Sequence, residues 1–245
     1  MKEKDLFGYI IDHNVKKVKK YIKKKMNINI YNNAHGRNTP LMSAVYHDNV
    51  EIATLLLKAG ADLDMYDDGD CTAFCRAVES GNEDMVELFI EHHAEVNREF
   101  KYSKWTPLNI AANCNETEVL MLLLSSGADP NLEQSYNYYT PLMFSASQND
   151  IDNVKVLISH GANINFVNCR KQSPLSLSVY QHAVQSIEYL IQQHVEINCL
   201  FYDENILSKS MRIPMLAAYI HEQKNTLSDH ELSLWKKYRL RSLLV

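Results

Sequence analysis

Glycine is scarce in this chain, with 7 residues among 245. Loops that cradle phosphate groups need closely spaced glycines, and neither Gly-x-x-x-x-Gly-Lys-Ser/Thr nor Gly-x-Gly-x-x-Gly occurs. The nucleophile motif Gly-x-Ser-x-Gly is missing as well. We therefore predict that the protein is not an enzyme and that it uses no cofactor.

Long apolar runs and an excess of basic residues are also missing. No run approaches the ~20 residues that a membrane-spanning helix needs. The start of the chain carries Glu3 and Asp5 and lacks the apolar core of a secretory signal, so we expect none. The formal net charge of −5 excludes a generally basic nucleic-acid-binding protein, although it leaves room for a local basic patch.

The cysteines are few, scattered and odd in number. They stand at positions 71, 75, 114, 169 and 199. This pattern favours free thiols in a reducing, cytoplasmic compartment over a disulfide framework. Cys71 and Cys75 lie four residues apart, but no second Cys or His pair completes a zinc pattern, so we predict no metal site. Cys114, between two asparagines, is the best candidate nucleophile, yet a small packed thiol is the simpler interpretation.

What the chain does have is an internal repeat. Five anchors recur at spacings of 33, 34, 34 and 33 residues; they are Thr39-Pro40-Leu41, Thr72-Ala73-Phe74, Thr106-Pro107-Leu108, Thr140-Pro141-Leu142 and Ser173-Pro174-Leu175. About twenty residues after each anchor comes a second landmark; these are LLLKAGADLD (55–64), LFIEHHAEVN (88–97), LLLSSGADPN (122–131), LISHGANIN (157–165) and LIQQHVEIN (190–198). Such phased landmarks indicate a repeat architecture.

These anchors and the Gly-Ala-Asp endings closely resemble the ankyrin repeat, and the resemblance covers roughly residues 5–200. It implies an all-α solenoid of about six helix-turn-helix repeats joined by β-hairpin-like finger loops. Residues 1–36 form an N-terminal repeat or cap without an anchor, 37–200 carry the anchored repeats, and 201–245 hold a degenerate repeat and C-terminal capping helices.

The residues themselves support this interpretation. The hydroxyl of the anchor threonine can accept a hydrogen bond from an unpaired amide of the first helical turn, and proline fits the first helical position. Leu41, Ala44 and Val45 then form a short apolar stripe, and Gly60 suits a left-handed helix stop. A helix pair of this size cannot bury its apolar face alone and must stack on its neighbours.

The finger loops depart from the family pattern. Ankyrin repeats usually carry glycine two residues before the anchor threonine, whereas this chain has Arg37, Asp70, Lys104, Tyr138 and Lys171 there. Either the loops use a different turn, or these residues accept strain of ~1 kcal/mol or more. We expect less regular loops in the three fingers that lack a nearby glycine.

The C-terminal segment allows two interpretations. Residues 205–223 can hold one more helix around Pro214, and residues 228–245 read as a helix whose Ser228 and Glu231 form a capping box. Its face with Leu234, Trp235, Tyr238 and Val245 either caps the last repeat or docks a partner.

In ankyrin-like proteins the finger tips and inner helices form a concave surface that holds a partner, and the resemblance implies the same here. The candidate contacts on that surface are mostly aromatic or acidic; they are Tyr102, Trp105, Tyr136, Tyr138, Tyr139, Asp68, Asp70, Tyr46 and Asn113. Trp and Tyr are enriched at binding hot spots, and the repeat does not require aromatic residues in its fingers. The alternative is that one or two of them pack between hairpins.

Charge is unevenly distributed along the chain. Residues 1–25 carry a net charge of +6, residues 61–99 of −10 and residues 231–245 of +3. A possible patch for an anionic membrane, nucleic acid or acidic protein consists of Lys16, Lys17, Lys20, Lys23 and Lys24. The alternative for both charged regions is a solvated face, although the acidic block can also steer a basic partner.

The asparagines that end the repeats are a further candidate site. Eukaryotic asparaginyl hydroxylases modify this position in ankyrin repeats, and Asn198 and then Asn97 fit their spacing preference. The alternative is a purely structural asparagine.

We therefore predict a non-enzymatic protein-interaction module, monomeric by preference. The divergent repeats resemble those of effectors from intracellular bacterial pathogens and of viral ankyrin proteins, which implies a host protein as partner and translocation into a host cell. The alternative is an adaptor whose segment 205–245 recruits machinery such as a ubiquitin ligase.

Overall fold

Paired α-helices build the chain. In the computed structural model, residues 5–34, 36–100 and 104–242 are described, and they fall into two compact units, Met1–Asp129 and Pro130–Val245. The described residues of the first unit form eight helices: α1 (Asp5–Ile11), α2 (Val15–Lys23), α3 (Pro40–Tyr46), α4 (Val50–Lys58), α5 (Ala73–Glu79), α6 (Glu83–Glu91), α7 (Pro107–Cys114) and α8 (Thr117–Ser125).

The second unit continues the alternation of short and slightly longer helices. Its helices are α9 (Pro141–Ser147), α10 (Ile151–Ser159), α11 (Pro174–Gln181), α12 (Val184–Gln192), α13 (Glu204–Ser210), α14 (Pro214–Glu222) and α15 (Asp229–Ser242), with 3-10 segments at Asn198–Tyr202 and Gln223–Thr226. The six predicted helix pairs, α1–α2 to α11–α12, are confirmed. Residues 204–222 add a further pair, in which Pro214 opens the second helix. None of the helices in the described ranges is long and apolar enough to cross a bilayer.

The anchors act as predicted. Thr39, Thr72, Thr106, Thr140 and Ser173 each precede an inner helix, and each side-chain oxygen accepts a hydrogen bond from the backbone amide three residues later, at 3.1–3.4 Å. Proline follows four of these five residues at the start of the helix. Helix capping by a short polar side chain stabilises a helix by ~1 kcal/mol. In four of the five anchors, the capping residue and the proline after it therefore determine where the inner helix begins.

Helices pack on their counterparts one repeat along the chain. In the first unit the inner helices contact in the order α1, α3, α5, α7 and the outer helices in the order α2, α4, α6, α8. Leu6, Ile10 and Val18 are fully buried, so the unanchored N-terminal pair joins this core as a repeat. In the second unit α9 packs on α11 and α10 on α12, and the inner helix α11 also contacts α13.

Asparagines at the ends of four of the described repeats form hydrogen bonds with the turn that ends the next repeat. Within the first unit, Asn97 Nδ2 donates to the carbonyl of Gly127 at 3.0 Å, and its Oδ1 accepts from the amide of Asp129 at 2.8 Å. Asn29 makes the same pair of bonds to Gly60 and Asp62. Within the second unit, Asn131 repeats this pattern with Gly161 and Asn163, and Asn165 Oδ1 accepts from Glu196 N.

The finger loops are more regular than we predicted. The five residues at the usual glycine position all adopt the left-handed conformation, with φ between 54° and 63°; they are Arg37, Asp70, Lys104, Tyr138 and Lys171. Each loop is closed by a backbone hydrogen bond to the carbonyl of the residue before the anchor, for example Gln134 N to Tyr139 O at 2.9 Å. Of the two alternatives, the structure supports the second, because all five residues adopt the strained left-handed conformation; the expectation of less regular loops is wrong. Among the described residues, β pairing in the fingers is limited to an isolated bridge between Asn32 and Asn38.

This strain gives a first stability prediction. Replacing Lys171 with glycine should make the protein about 1 kcal/mol more stable than replacing it with alanine, because only glycine lacks the Cβ that disfavours this conformation. Both variants lose the contact of the Lys171 ammonium with the Tyr202 ring, 5.4 Å from its centroid, so their difference isolates the backbone term. Urea unfolding of the two variants measures it. Equal stability would show that the native turn carries no strain.

Candidate functional site

The inner helices expose a polar or aromatic end beside a buried body. In α3, every residue from Pro40 to Val45 is buried, whereas Tyr46 is 81% exposed. Glu79 ends α5, and Asn113 and Cys114 end α7; all three are exposed. In the second unit, Tyr180 at the end of α11 is 56% exposed. The repeats thus present a variable surface residue at the same structural position.

The aromatic candidates differ in their availability. Tyr136 is 76% exposed at the tip of its finger, and its backbone carbonyl accepts a hydrogen bond from Arg170 Nη2 at 3.4 Å. Tyr138 and Tyr139 are half-buried, and the Tyr139 ring packs edge-on against Phe144 with centroids 5.3 Å apart. Trp105 is also half-buried, and Tyr102 lies outside the described residues. The packing alternative therefore has support for Tyr139, while Tyr136 is a surface residue.

The acidic finger of the first unit is partly neutralised within the protein. Asp67 has a side chain only 4% exposed and accepts hydrogen bonds from Arg76 Nε at 3.0 Å and Arg76 Nη2 at 2.7 Å. Asp64 pairs with Arg98. Asp68 stays exposed, but Asp70 is 9% exposed and holds the left-handed turn position, so little of it is available to a partner. The two arginines that face this block were not singled out from the sequence.

The lysine patch lies on the outer surface of the first helix pair. Lys16, Lys17, Lys20, Lys23 and Lys24 are all exposed, and the ammonium of Lys17 lies 5.0 Å from the centre of the Tyr9 ring. The buried side of the same helix is formed by Val18 and Tyr21. Its attraction for an anionic partner remains a prediction.

The two hydroxylation candidates have different surroundings. Both Asn97 and Asn198 are exposed. Both amide atoms of Asn97 are engaged in the bonds to Gly127 and Asp129 described above, which accounts for this asparagine structurally. Asn198 begins the 3-10 segment Asn198–Tyr202.

Sequence reasoning missed a convergence of thiols and a carboxylate on the first unit. The Sγ atoms of Cys71 and Cys75 are 2.9 Å apart, and Glu79 Oε1 lies 3.7 Å from Cys71 Sγ and 3.9 Å from Cys75 Sγ. Cys71 and Cys75 are buried, and Glu79 is exposed. They line a cleft of about 220 Å³ together with Gly69, Trp105, Ile110, Asn113 and Cys114. The signal in the sequence is the spacing Cys-x-x-x-Cys-x-x-x-Glu, which places Cys75 and Glu79 on one face of α5 and Cys71 in the loop just before it.

Two thiols of this cleft, Cys75 and Cys114, have a raised pKa. The hydrogen bond with Cys71 and burial raise the pKa of Cys75. Burial, with the neighbouring charge of Glu79, raises the pKa of Cys114. A nucleophilic cysteine needs a lowered pKa, so this environment argues against the catalytic interpretation of Cys114.

Comparison with known proteins places these features in context. The family model "Ankyrin repeats (3 copies)" matches residues 60–134 and 108–200, and the model "Ankyrin repeat" matches residues 36–68. An ankyrin repeat protein of fowlpox virus (strain NVSL) is 34% identical over 83 residues, which are 34% of this chain and 19% of that protein. The match thus spans about a fifth of the length of the viral protein.

Among solved structures, the chain is similar to the ankyrin repeat domain of Bcl-3, described as a unique member of the IkappaB protein family. The TM-score is 0.71 at 25% sequence identity, and the alignment covers 78% of this chain and 86% of that domain.

Proposed function

Because the chain belongs to the ankyrin-repeat family, we propose that it binds a partner protein through its finger tips and the exposed ends of its inner helices. Domains of this family are protein-interaction modules, and the general function follows from membership. The observation that carries the finer proposal is the exposure of large aromatic side chains at these positions, 81% for Tyr46 and 76% for Tyr136. Exposed tyrosines supply contact area at a low entropic cost, because each has only two rotatable side-chain bonds.

The backbone around each of these tyrosines is held in place within its own unit. Tyr136 lies within a finger closed by the bond from Gln134 N to Tyr139 O, and Asn137 Oδ1 accepts a further bond from Tyr139 N at 3.0 Å. Tyr46 ends a helix that is otherwise buried, and its ring contacts His47 edge-on at 5.2 Å. A surface that is already ordered loses little conformational freedom on binding.

We propose further that the partner is a host-cell protein and that the chain acts in a reducing compartment of that cell. The similarity to a fowlpox virus protein supports the host-cell partner. The free, buried thiols of Cys71, Cys75 and Cys199 fit a reducing compartment.

Capture from a eukaryotic lysate tests the proposal. The wild-type chain should retain a partner that Tyr136→Ala or Tyr46→Ala binds at least ~30-fold more weakly, the effect of a hot spot of ~2 kcal/mol. Met121→Ala is the matched control, because Met121 is 42% exposed on the outer helix α8. All variants must first melt at the wild-type temperature.

The outcome separates the candidate surfaces. A partner lost by Met121→Ala but kept by both tyrosine variants would contradict the proposed surface. A partner released only when the lysines of α2 are changed to glutamine would assign binding to the lysine patch instead.

A further inference from the structure

We propose that Cys71, Cys75 and Glu79 bind a thiophilic divalent cation, with Zn²⁺ as the physiological candidate. Among the described residues, this is the one group of three Cys, His, Asp or Glu side chains whose ligand atoms all lie within 4.8 Å of one another. The proposal rests on other observations than the partner-binding surface, although Glu79 and Asn113 lie at both sites, and either proposal can fail without the other.

The donor set suits zinc. Zn²⁺ prefers thiolate sulfur and accepts carboxylate oxygen, with Zn–S bonds of about 2.3 Å and Zn–O bonds of about 2.0–2.2 Å. Two sulfur ligands of a tetrahedral zinc lie about 3.8 Å apart, so the Sγ atoms of Cys71 and Cys75 need to separate by roughly 1 Å. Cys71 precedes the first turn of α5, outside the helix, and can move more easily than Cys75 within it.

Glu79 is oriented for this role by Arg76. The Oε2 atom of Glu79 accepts from Arg76 Nη1 at 2.9 Å, which leaves Oε1 directed at the two sulfur atoms. A ligating carboxylate that is hydrogen-bonded through its second oxygen is a common support of metal sites. Arg76 is itself held by Asp67, so the orientation of Glu79 is tied to the finger loop.

The charge balance is favourable. On binding, both thiols release a proton, and two thiolates and one carboxylate then surround the 2+ ion. The resulting charge of −1 lies beside the guanidinium of Arg76.

Three protein ligands leave a fourth coordination position open. The cleft beside the sulfur atoms is lined by Trp105, Asn113 and Cys114 from the next repeat. Zinc sites with three protein ligands usually hold water or an exogenous group at the fourth position. Because Trp105 lines the cleft, its fluorescence reports on occupation.

The test uses the full chain, reduced and stripped of metal by a chelator. We expect one equivalent of Cd²⁺ to bind with the ultraviolet absorption of a cadmium–thiolate bond, and one equivalent of Zn²⁺ to compete for the same site and raise the melting temperature. Cys71→Ser and Glu79→Gln should each weaken Zn²⁺ binding at least tenfold. Cys71 lies before α5 and Glu79 is its last residue, so these variants leave Cys75 within the helix unchanged.

Thiol-matched controls decide the assignment. Cys169→Ser removes an exposed thiol and Cys199→Ser a buried one, and both should bind Cd²⁺ as the wild type does. Wild-type protein that shows no cadmium–thiolate band would overturn the proposal, as would unchanged binding by Cys71→Ser. A Cys71–Cys75 disulfide that forms in air, with no cation binding after reduction, would equally contradict it.

Discussion

Replacing Trp235 with alanine should lower the free energy of unfolding of the second unit by about 3–5 kcal/mol, the usual cost of truncating a buried tryptophan. Trp235 is 5% exposed and stacks on the His221 ring, with centroids 5.6 Å apart. Its helix, α15, packs on α13 and on the 3-10 segment Asn198–Tyr202. The loss should appear in urea unfolding followed by circular dichroism.

This experiment also discriminates between the two interpretations of the C-terminal helix. Tyr238 is 8% exposed, and its hydroxyl donates to Glu204, whose Oε2 also receives Lys237 Nζ at 3.0 Å. Such packing is what a capping helix needs. Trp235→Phe keeps most of the buried area and should be much less costly. An adaptor helix would instead leave stability unchanged in Trp235→Ala while a recruited partner is lost.

Replacing Arg76 with glutamine should destabilise the first unit by about 3 kcal/mol. The reason is the Asp67 carboxylate, whose Oδ1 accepts from Gly69 N at 2.8 Å and Cys71 N at 2.9 Å and whose Oδ2 accepts both bonds from Arg76. Removing one partner of a buried ion pair leaves an uncompensated charge. The Arg76 side chain is 40% exposed, which places the expected cost at the lower end for such pairs.

A double-mutant cycle isolates this term. Asp67→Asn with Arg76→Gln keeps an oxygen for the two loop amides and removes both charges. We expect the double variant to be more stable than Arg76→Gln alone, as measured by urea unfolding. Additive losses in the cycle would contradict a coupled pair.

The repeat could be predicted from sequence because its signals are local. The anchor Thr140 and the following Pro141 fix one inner helix start, and that start does not depend on distant residues. The capping box of the last helix follows the same logic: Ser228 N donates to Glu231 Oε2 at 2.8 Å, and Glu231 N donates to Ser228 Oγ at 3.4 Å.

The prediction of less regular finger loops was wrong because the preference of glycine for positive φ is outweighed by the surrounding fold. Glycine is preferred at φ > 0, yet the closing hydrogen bonds of the fingers hold Lys104, Tyr138 and Lys171 there. The thiol cluster was missed for another reason. Cys-x-x-x-Cys is not a usual zinc spacing. Glu79 joins the cluster because the side chain at the end of α5 directs its Oε1 atom at both sulfur atoms. The orienting Arg76–Asp67 pair joins residues nine positions apart.

For the candidate surface residues, the sequence predicted their positions in the repeat better than it predicted whether their side chains are exposed. Tyr46 and Tyr136 are exposed as a contact residue must be, while Asp70 is buried. The difference between Tyr136 and Tyr139 depends on Phe144, which receives the Tyr139 ring. Residue type and repeat position do not reveal such a neighbour.

The asparagine bonds between repeats bear on how a chain of this kind changes length during evolution. Asn97 bonds to Gly127 and Asp129 in the next repeat, and Asn131 bonds in the same way to Gly161 and Asn163. Duplication or deletion of one whole repeat of 33 or 34 residues leaves every remaining asparagine with an equivalent turn to bind. A gain or loss of any other length breaks this match. The gene is therefore free to vary in whole repeats, and the number of fingers can change without redesign of the interfaces that hold them.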